Sequence, residues 1–273
     1  MSNMVINTNV LALNAHRSMK TVGATQAQAS ARLSSGLRVN TAADDAAGLA
    51  ISEKMRAQIR GLDMASKNAQ DGISLVQTAE GGMQQIDDMV QRIRELAIQA
   101  ANDTNMSMDR AKISKEISNL VSEISSMASR VQFNKMTLLD GSAKSINLQV
   151  GANFGVGDRL NFSIKGLSGV VSSTSVSSFS DARLTISACD DALSTITEGR
   201  ANLGAIQNRL EYTMKSLDIS SENLSASESR IRDADMAKEM MTLTKTNVLS
   251  QAATSMLAQA NQTPQNLLQL LRG

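Results

Sequence analysis

The strongest constraint on this chain is a spacing. Between Ala65 and Ala97 the apolar or small residues are Ala65, Ala69, Gly72, Val76, Ala79, Met83, Ile86, Val90, Ile93 and Ala97, at steps that alternate four and three. A strand repeats every two residues and cannot keep that pattern on one face. A helix can, along one narrow stripe. A narrow stripe is covered by other helices, so the spacing predicts a bundle or coiled coil. With its flanks this helix runs from Leu62 to Ala101, ~60 Å at ~1.5 Å per residue. Gly81-Gly82 falls inside it and reads as a soft point, costing about 1 kcal/mol each relative to Ala.

Composition supports thin seams over broad pockets. Aromatic residues make up 2% of the chain, Trp is absent, and Met occurs 16 times. Helix seams manage without aromatic side chains, whereas ligand pockets usually use them. A single Pro leaves long helices unbroken. The net charge of +1 supplies no field for nucleic acid or an acidic membrane. No stretch nears the ~20 apolar residues that span a bilayer. Met1 to Leu13 lacks the basic and apolar regions of a cleavable signal peptide.

The chemistry-bearing residues are few. His16 is the only His, which excludes a multi-His zinc site, and it reads as a surface or seam residue. Cys189 has no second Cys for a disulfide and reads as a buried small residue on a helix. Asp44-Asp45 suits a helix N-terminus, and Asp87-Asp88 a solvated face. The glycine-rich stretch 151–157 has no Lys-Ser/Thr after it, so it is not a phosphate loop. No catalytic residue, cofactor or metal ligand is assigned, and the chain is read as no enzyme.

In chain order, a weakly apolar helix is expected over Thr8 to Leu33. Its stripe is Leu11, Ala15, Met19, Val22, polar Gln26, Ala29 and Leu33, with Asn7, Thr8 or Asn9 as cap and Ser34-Ser35-Gly36 as stop. Thr41 to Asp44 reads as a capping box for a helix carrying Ala47, Ile51, Met55 and Ile59, which Gly61 ends or bends. After a turn at 102–107, a return helix from Asp109 to Val131 carries Ile113, Ile117, Leu120, Ile124, Met127 and Val131, antiparallel to the long one.

The period then changes to two. Ile146, Leu148 and Val150, and later Leu160, Phe162 and Ile164, alternate with polar residues and predict a β-hairpin. The Ser/Thr run 172–178 reads as a polar surface loop, with sugar attachment as its functional alternative. Ser180 and Asp181 open the next helix. Ile196, Leu203, Leu210, Leu217, Leu224 and Ile231 recur there at steps of seven, beside a weaker row of Leu193, Arg200, Gln207, Met214, Ser221 and Glu228. The last helix, about Met236 to Leu271, has a patchy stripe of Met240, Leu243, Leu257 and Ala260 and is interrupted by Pro264.

The expected fold is mainly α: a long antiparallel helical bundle with a small β-hairpin region at about 133–171, plus paired N- and C-terminal helices. Residues 1–44 and 231–273 would form the terminal coiled coil, and 45–230 the bundle. The bundle seam is assigned to Val76, Met83, Ile86, Val90, Ile93, Ile117, Leu120, Ile124, Leu203, Leu210, Leu217 and Leu224.

These landmarks resemble bacterial flagellin. The opening Ile6-Asn7-Thr8-Asn9, the stretch from Leu33 to Asn40 and Ala42 to Ile51, and Gln91 to Ala97 match the family in the first half. Ser229 to Asp235, Leu257 to Gln262 and Pro264-Gln265-Asn266 match it in the second. Met236 departs from relatives, which often carry Tyr there. The resemblance implies a subunit of the flagellar filament, extracellular, passed through the flagellar export apparatus without a cleavable signal peptide. Implied partners are further copies of the chain, an export chaperone, and the filament cap and hook-junction proteins. Only about 40–50 residues separate the return helix from the last bundle helix, so no added outer domain is expected.

The resemblance also implies sites. Arg92, Leu96 and Glu116 match positions read by the host receptor TLR5, although from spacing alone Arg92 and Arg94 are a solvated face and Glu116 an ordinary surface charge. Leu268, Leu270 and Leu271 match terminal leucines read by cytosolic sensors, and are otherwise seam residues of the terminal coiled coil. The competing readings are a hook–filament junction protein and a non-polymerising coiled-coil adaptor.

Overall fold

The structure, a computed structural model, describes residues 8–141, 144–171 and 175–272, and their side chains apart from Lys144, Val156 and 264–272. Five helices are α1 (Val10–Ser35), α2 (Ala46–Ala100), α3 (Ser107–Arg130), α4 (Phe179–Arg232) and α5 (Met236–Arg272). Between α3 and α4 lie β1 (Gln132–Phe133), β2 (Met136–Thr137), β3 (Lys144–Gln149) and β4 (Arg159–Ile164). The chain divides into two compact units, residues 58–222 and residues 1–57 with 223–273.

The middle unit, 58–222, holds the core. All ten residues of the 65–97 stripe are buried. They pack with Ile113, Ile117, Ile124 and Ala128 of α3 and with α4. Leu120, Met127 and Val131 are half-buried at its edge. On α4 the row Ile196, Leu203, Leu210, Leu217 is buried, but the second row differs from the one expected. Ala192, Gly199 and Ile206 face the core, while Leu193, Arg200 and Gln207 stand half-exposed one position along. Small residues there let a large partner in: a Cβ on Gly199 would sit 3.4 Å from the Met83 sulfur. Arg200 uses its intermediate position to donate to Gln84 Oε1 at 2.9 Å.

α2 runs through both Gly61 and Gly81-Gly82, so the expected break at Gly61 is absent. Packing explains two of these glycines. A Cβ on Gly61 would lie 2.9 Å from the Ala152 Cβ, and one on Gly82 2.7 Å from a Val131 methyl. Gly81 meets nothing within 4 Å.

β3 and β4 pair antiparallel with Ile146 opposite Phe162 and Leu148 opposite Leu160. The alternating residues Leu160, Phe162 and Ile164 are buried, as the period of two requires. Asn68 Nδ2 donates to the Gln149 carbonyl at 3.1 Å, which ties the hairpin to α2. The two-residue strands β1 and β2 have no counterpart in the sequence reading. Asn134 and Lys135, both at positive φ (48° and 64°), make the tight turn between them.

Helix starts are also corrected. α2 opens at Ala46, with Asp45 Oδ1 accepting from the Gly48 amide at 2.8 Å. Asp44 instead closes the turn before it, accepting from the Thr41 amide and hydroxyl, both at 3.0 Å. α4 opens at Phe179 under a reciprocal cap: the Asp181 amide donates to Ser178 Oγ, and the Ser178 amide to the Asp181 carboxylate, each at 3.2 Å. α5 is assigned as helix through Pro264, so the expected interruption is not seen. The first three residues of the Ser/Thr run 172–178 lie outside the described residues.

Candidate assembly surface

The terminal unit is built on the antiparallel pair α1 and α5. α1 starts at Asn9, whose side chain accepts from the Ala12 amide at 3.1 Å. It ends at Gly36, in the left-handed region at φ 72°, whose amide bonds the Arg32 carbonyl. The chain then meets the α4–α5 link. The Arg38 amide donates to the Arg232 carbonyl at 2.7 Å, and the Ala234 amide to the Gly36 carbonyl at 2.9 Å. α5 follows, capped by Asp235 Oδ1 on the amides of Ala237 and Lys238. Ion pairs gather at this crossing: Arg32 with Glu239 at 3.2 Å, Arg56 with Glu228 at 2.9 Å, and Arg232 with Glu53 at 2.6 Å.

Along the helices themselves little is buried. Among the described residues Ala29 (2% exposed) is the buried residue of α1 and Thr246 (5%) that of α5. The half-buried inner row of α1 includes Ala12, Ala15, Met19, Val22 and Gln26. Leu11, expected on it, is 67% exposed. On α5 the inner row includes Glu239, Leu243, Thr246, Ser250, Ala253, Leu257 and Ala260, while Met240, expected on it, is exposed. The large apolar side chains Val10, Leu11, Leu13, Met241, Val248 and Met256 therefore face outward. Covering each such side chain is worth ~1.5–3 kcal/mol, and within this chain that gain is left untaken. A groove of about 160 Å³ runs between Leu11, Ala15, Met256, Gln259, Ala260 and Thr263. An exposed apolar surface of this kind marks a contact site.

The other sequence-derived residues fall elsewhere. Arg92 pairs with Glu116 at 3.0 Å and Glu95 at 3.1 Å on the surface of the middle unit. Those carboxylates hold its guanidinium even more firmly protonated than usual. Leu96 is 3% exposed and belongs to the core, because it shares the α2 stripe with Ile93 and Ala100. The three do not form one exposed cluster. Leu224 is half-buried and falls in the terminal unit. The side chains of Leu268, Leu270 and Leu271 lie outside those described.

Among the described residues, no group of three His, Cys, Asp or Glu could hold a metal. His16 is exposed on α1. Cys189 is buried, and desolvation, then the neighbouring Asp190, push its thiol up to about 11, so it is not poised as a nucleophile. An open face of α4 lined by Asn208, Arg209, Tyr212 and Thr213 carries no paired acid and base. No described helix is long and apolar enough to cross a membrane.

Comparison with known proteins agrees with this geometry. Residues 6–144 match the family model of the bacterial flagellin N-terminal helical region, and residues 186–271 that of the C-terminal helical region. A flagellin of Halalkalibacterium halodurans is 54% identical over 273 residues, covering 98% of this chain and all of that protein. A flagellin of Bacillus subtilis is 45% identical over 306 residues, with the same coverage. The crystal structure of Bacillus cereus flagellin superposes at TM-score 0.51 and 29% identity, over 55% of this chain and 88% of that one. A putative flagellar hook-associated protein of Vibrio parahaemolyticus reaches TM-score 0.60 at 10% identity over 70% of this chain and all of that one, a likeness of fold alone.

Proposed function

Since the chain belongs to the bacterial flagellin family, we propose that it is a structural subunit that polymerises into the flagellar filament, an assembly outside the cell, and that it carries no chemistry of its own. The observation that supports this is the terminal pair, whose large apolar residues face away from their own chain. Copies of the chain, packing side by side and end to end, would cover that surface and order the two helices together. The middle unit, with its complete core, would form the rigid body of each subunit.

Finer partners follow from the same membership. An export chaperone would shield the apolar helices before assembly, and cap and hook-junction proteins would meet the same helices at the filament ends. The exposed Arg92–Glu116 pair would present the charged part of a surface read by the host receptor TLR5, with Leu96 supporting the helix from beneath.

Seeded polymerisation of the full chain, followed by electron microscopy, tests the reading. Tubes are expected from the intact chain. A variant carrying Leu11→Asp and Met256→Asp is expected to lose at least tenfold in elongation rate, with the helical circular dichroism of the middle unit retained. An intact chain that stays soluble on seeds would overturn the proposal in favour of an adaptor, and short caps in place of tubes would favour a junction protein.

A further inference from the structure

The helices α1 and α5 carry apolar side chains on both their inner and outer sides. Inward are Ala12, Ala15, Met19, Val22, Ala29, Leu243, Ala253, Leu257 and Ala260; outward are Leu11, Met241, Val248 and Met256. With large apolar side chains on both sides, burial prefers the observed rotation only weakly, and polar contacts across the pair add to that preference.

Three polar contacts span the pair, and all fit an antiparallel arrangement to within about one helical turn. Asn9 Nδ2 donates to the Ala260 carbonyl at 2.7 Å, Gln26 Nε2 to Asn247 Oδ1 at 2.8 Å, and Arg32 Nη1 to Glu239 Oε1 at 3.2 Å. They sit near the start, the middle and the end of α1. Rotating either helix by the ~100° that separates neighbouring residues would break all of them together. The Asn9–Ala260 and Arg32–Glu239 contacts are part-buried, and polar residues within an otherwise apolar seam are a known means of fixing one packing among several; Gln26–Asn247 lies at the exposed edge.

We propose that Asn9, Gln26 with Asn247, and Arg32 with Glu239 fix the rotational phase of the terminal pair, keeping the row through Ala15, Met19, Val22 and Ala29 inward and Leu11, Met241, Val248 and Met256 outward for neighbouring copies. They are positioning residues: their own contacts are within one chain, and they act on assembly through the face they leave exposed. The inference rests on the reading of the chain as a filament subunit.

Its test uses the full chain and two readouts. Cysteine is introduced as Ala29→Cys on the inner face or Leu13→Cys on the outer face, and reaction with a maleimide is timed; buried Cys189 serves as the slow internal reference. With the polar contacts intact, Leu13→Cys should react at least tenfold faster than Ala29→Cys. Adding Gln26→Leu, Asn247→Leu, Arg32→Leu and Glu239→Leu should collapse that ratio and slow seeded elongation at least tenfold, without loss of helical circular dichroism. As a milder probe, Arg32→Glu and Glu239→Arg should each slow elongation, and the two together should recover most of the loss. A ratio near one in the intact chain, an unchanged ratio after the four substitutions, native elongation by the apolar variant, or no recovery in the charge swap would each overturn the proposal. An intact chain that labels as expected but elongates no seeds would sink the filament reading while leaving the phase assignment standing.

Discussion

The middle unit and the terminal unit use the same kind of long amphipathic helix to opposite effect. In the middle unit, volume on one element meets a recess on another. Met83 lies over Gly199, Leu148 over Gly72, and Val131 and Leu139 over Gly82. In the terminal unit the inner rows mix small residues with half-buried Met19, Val22, Leu243 and Leu257, and other large side chains such as Leu11, Met241 and Met256 are left in water. A heptad is therefore not yet a core. Close packing of unequal neighbours makes one, and a stripe without it stays marginal until something else covers the outer face.

The largest test of this contrast compares matched truncations. Leu203→Ala should destabilise the middle unit by about 2–5 kcal/mol, since the fully packed site cannot collapse around the loss. Val22→Ala on the half-buried row of α1 should cost roughly 1 kcal/mol or less in the soluble chain. Thermal unfolding of the two variants reads the difference. Equal costs would mean that the terminal pair is as well packed as the bundle.

A smaller effect concerns two adjacent glycines of α2. Gly81→Ala should stabilise by about 0.4–1 kcal/mol, because the new methyl meets open space and the helix gains propensity. Gly82→Ala should destabilise, because its methyl would press on the stiff Val131 side chain and overpacking typically costs ~1–3 kcal/mol. Denaturant midpoints of the pair should move in opposite directions. Movement in the same direction would show that the recess at Gly82 is not needed.

The smallest effect belongs to the terminal unit. The Thr41 amide and hydroxyl, helped by Gln28 and the Asn40 amide, hold the Asp44 carboxyl below its ordinary 3.8. A depressed pKa means the folded state prefers the charged form. Its contribution is complete above about pH 3.8 and fades as pH falls through the folded-state value. Amide exchange near residues 40–45 should accelerate in that acid window, and Asp44→Asn should flatten the dependence. An unchanged profile in Asp44→Asn would assign the acid sensitivity elsewhere.

Much of the middle unit was legible because its signals are large. Alternating steps of four and three across Val76, Met83, Ile86, Val90 and Ile93 define one stripe, and alternation across Leu160, Phe162 and Ile164 defines a hairpin face. What was misplaced had weak or competing signals. On α4, Leu193 looked like a better seam residue than Ala192, and Arg200 and Gln207 followed from it. The space that Met83 needs decided for Gly199. Only the family resemblance marks Leu96 as a receptor contact, and the helical period carries it into the core. The β1–β2 turn was signalled only by Asn134, and a single residue that tolerates positive φ is easily passed over.

By itself, then, the sequence determined the period of the long helices and the hairpin face of Leu160, Phe162 and Ile164, because these depend on spacing and residue type alone. Tertiary structure decided the true second row of α4 and which glycines are recesses, and turned Leu11 and Met240 out of the stripes expected for α1 and α5. On helices whose faces are nearly equal in hydrophobicity, spacing cannot choose between them. The choice falls to volumes supplied by residues far away in the chain, such as Met83 against Gly199.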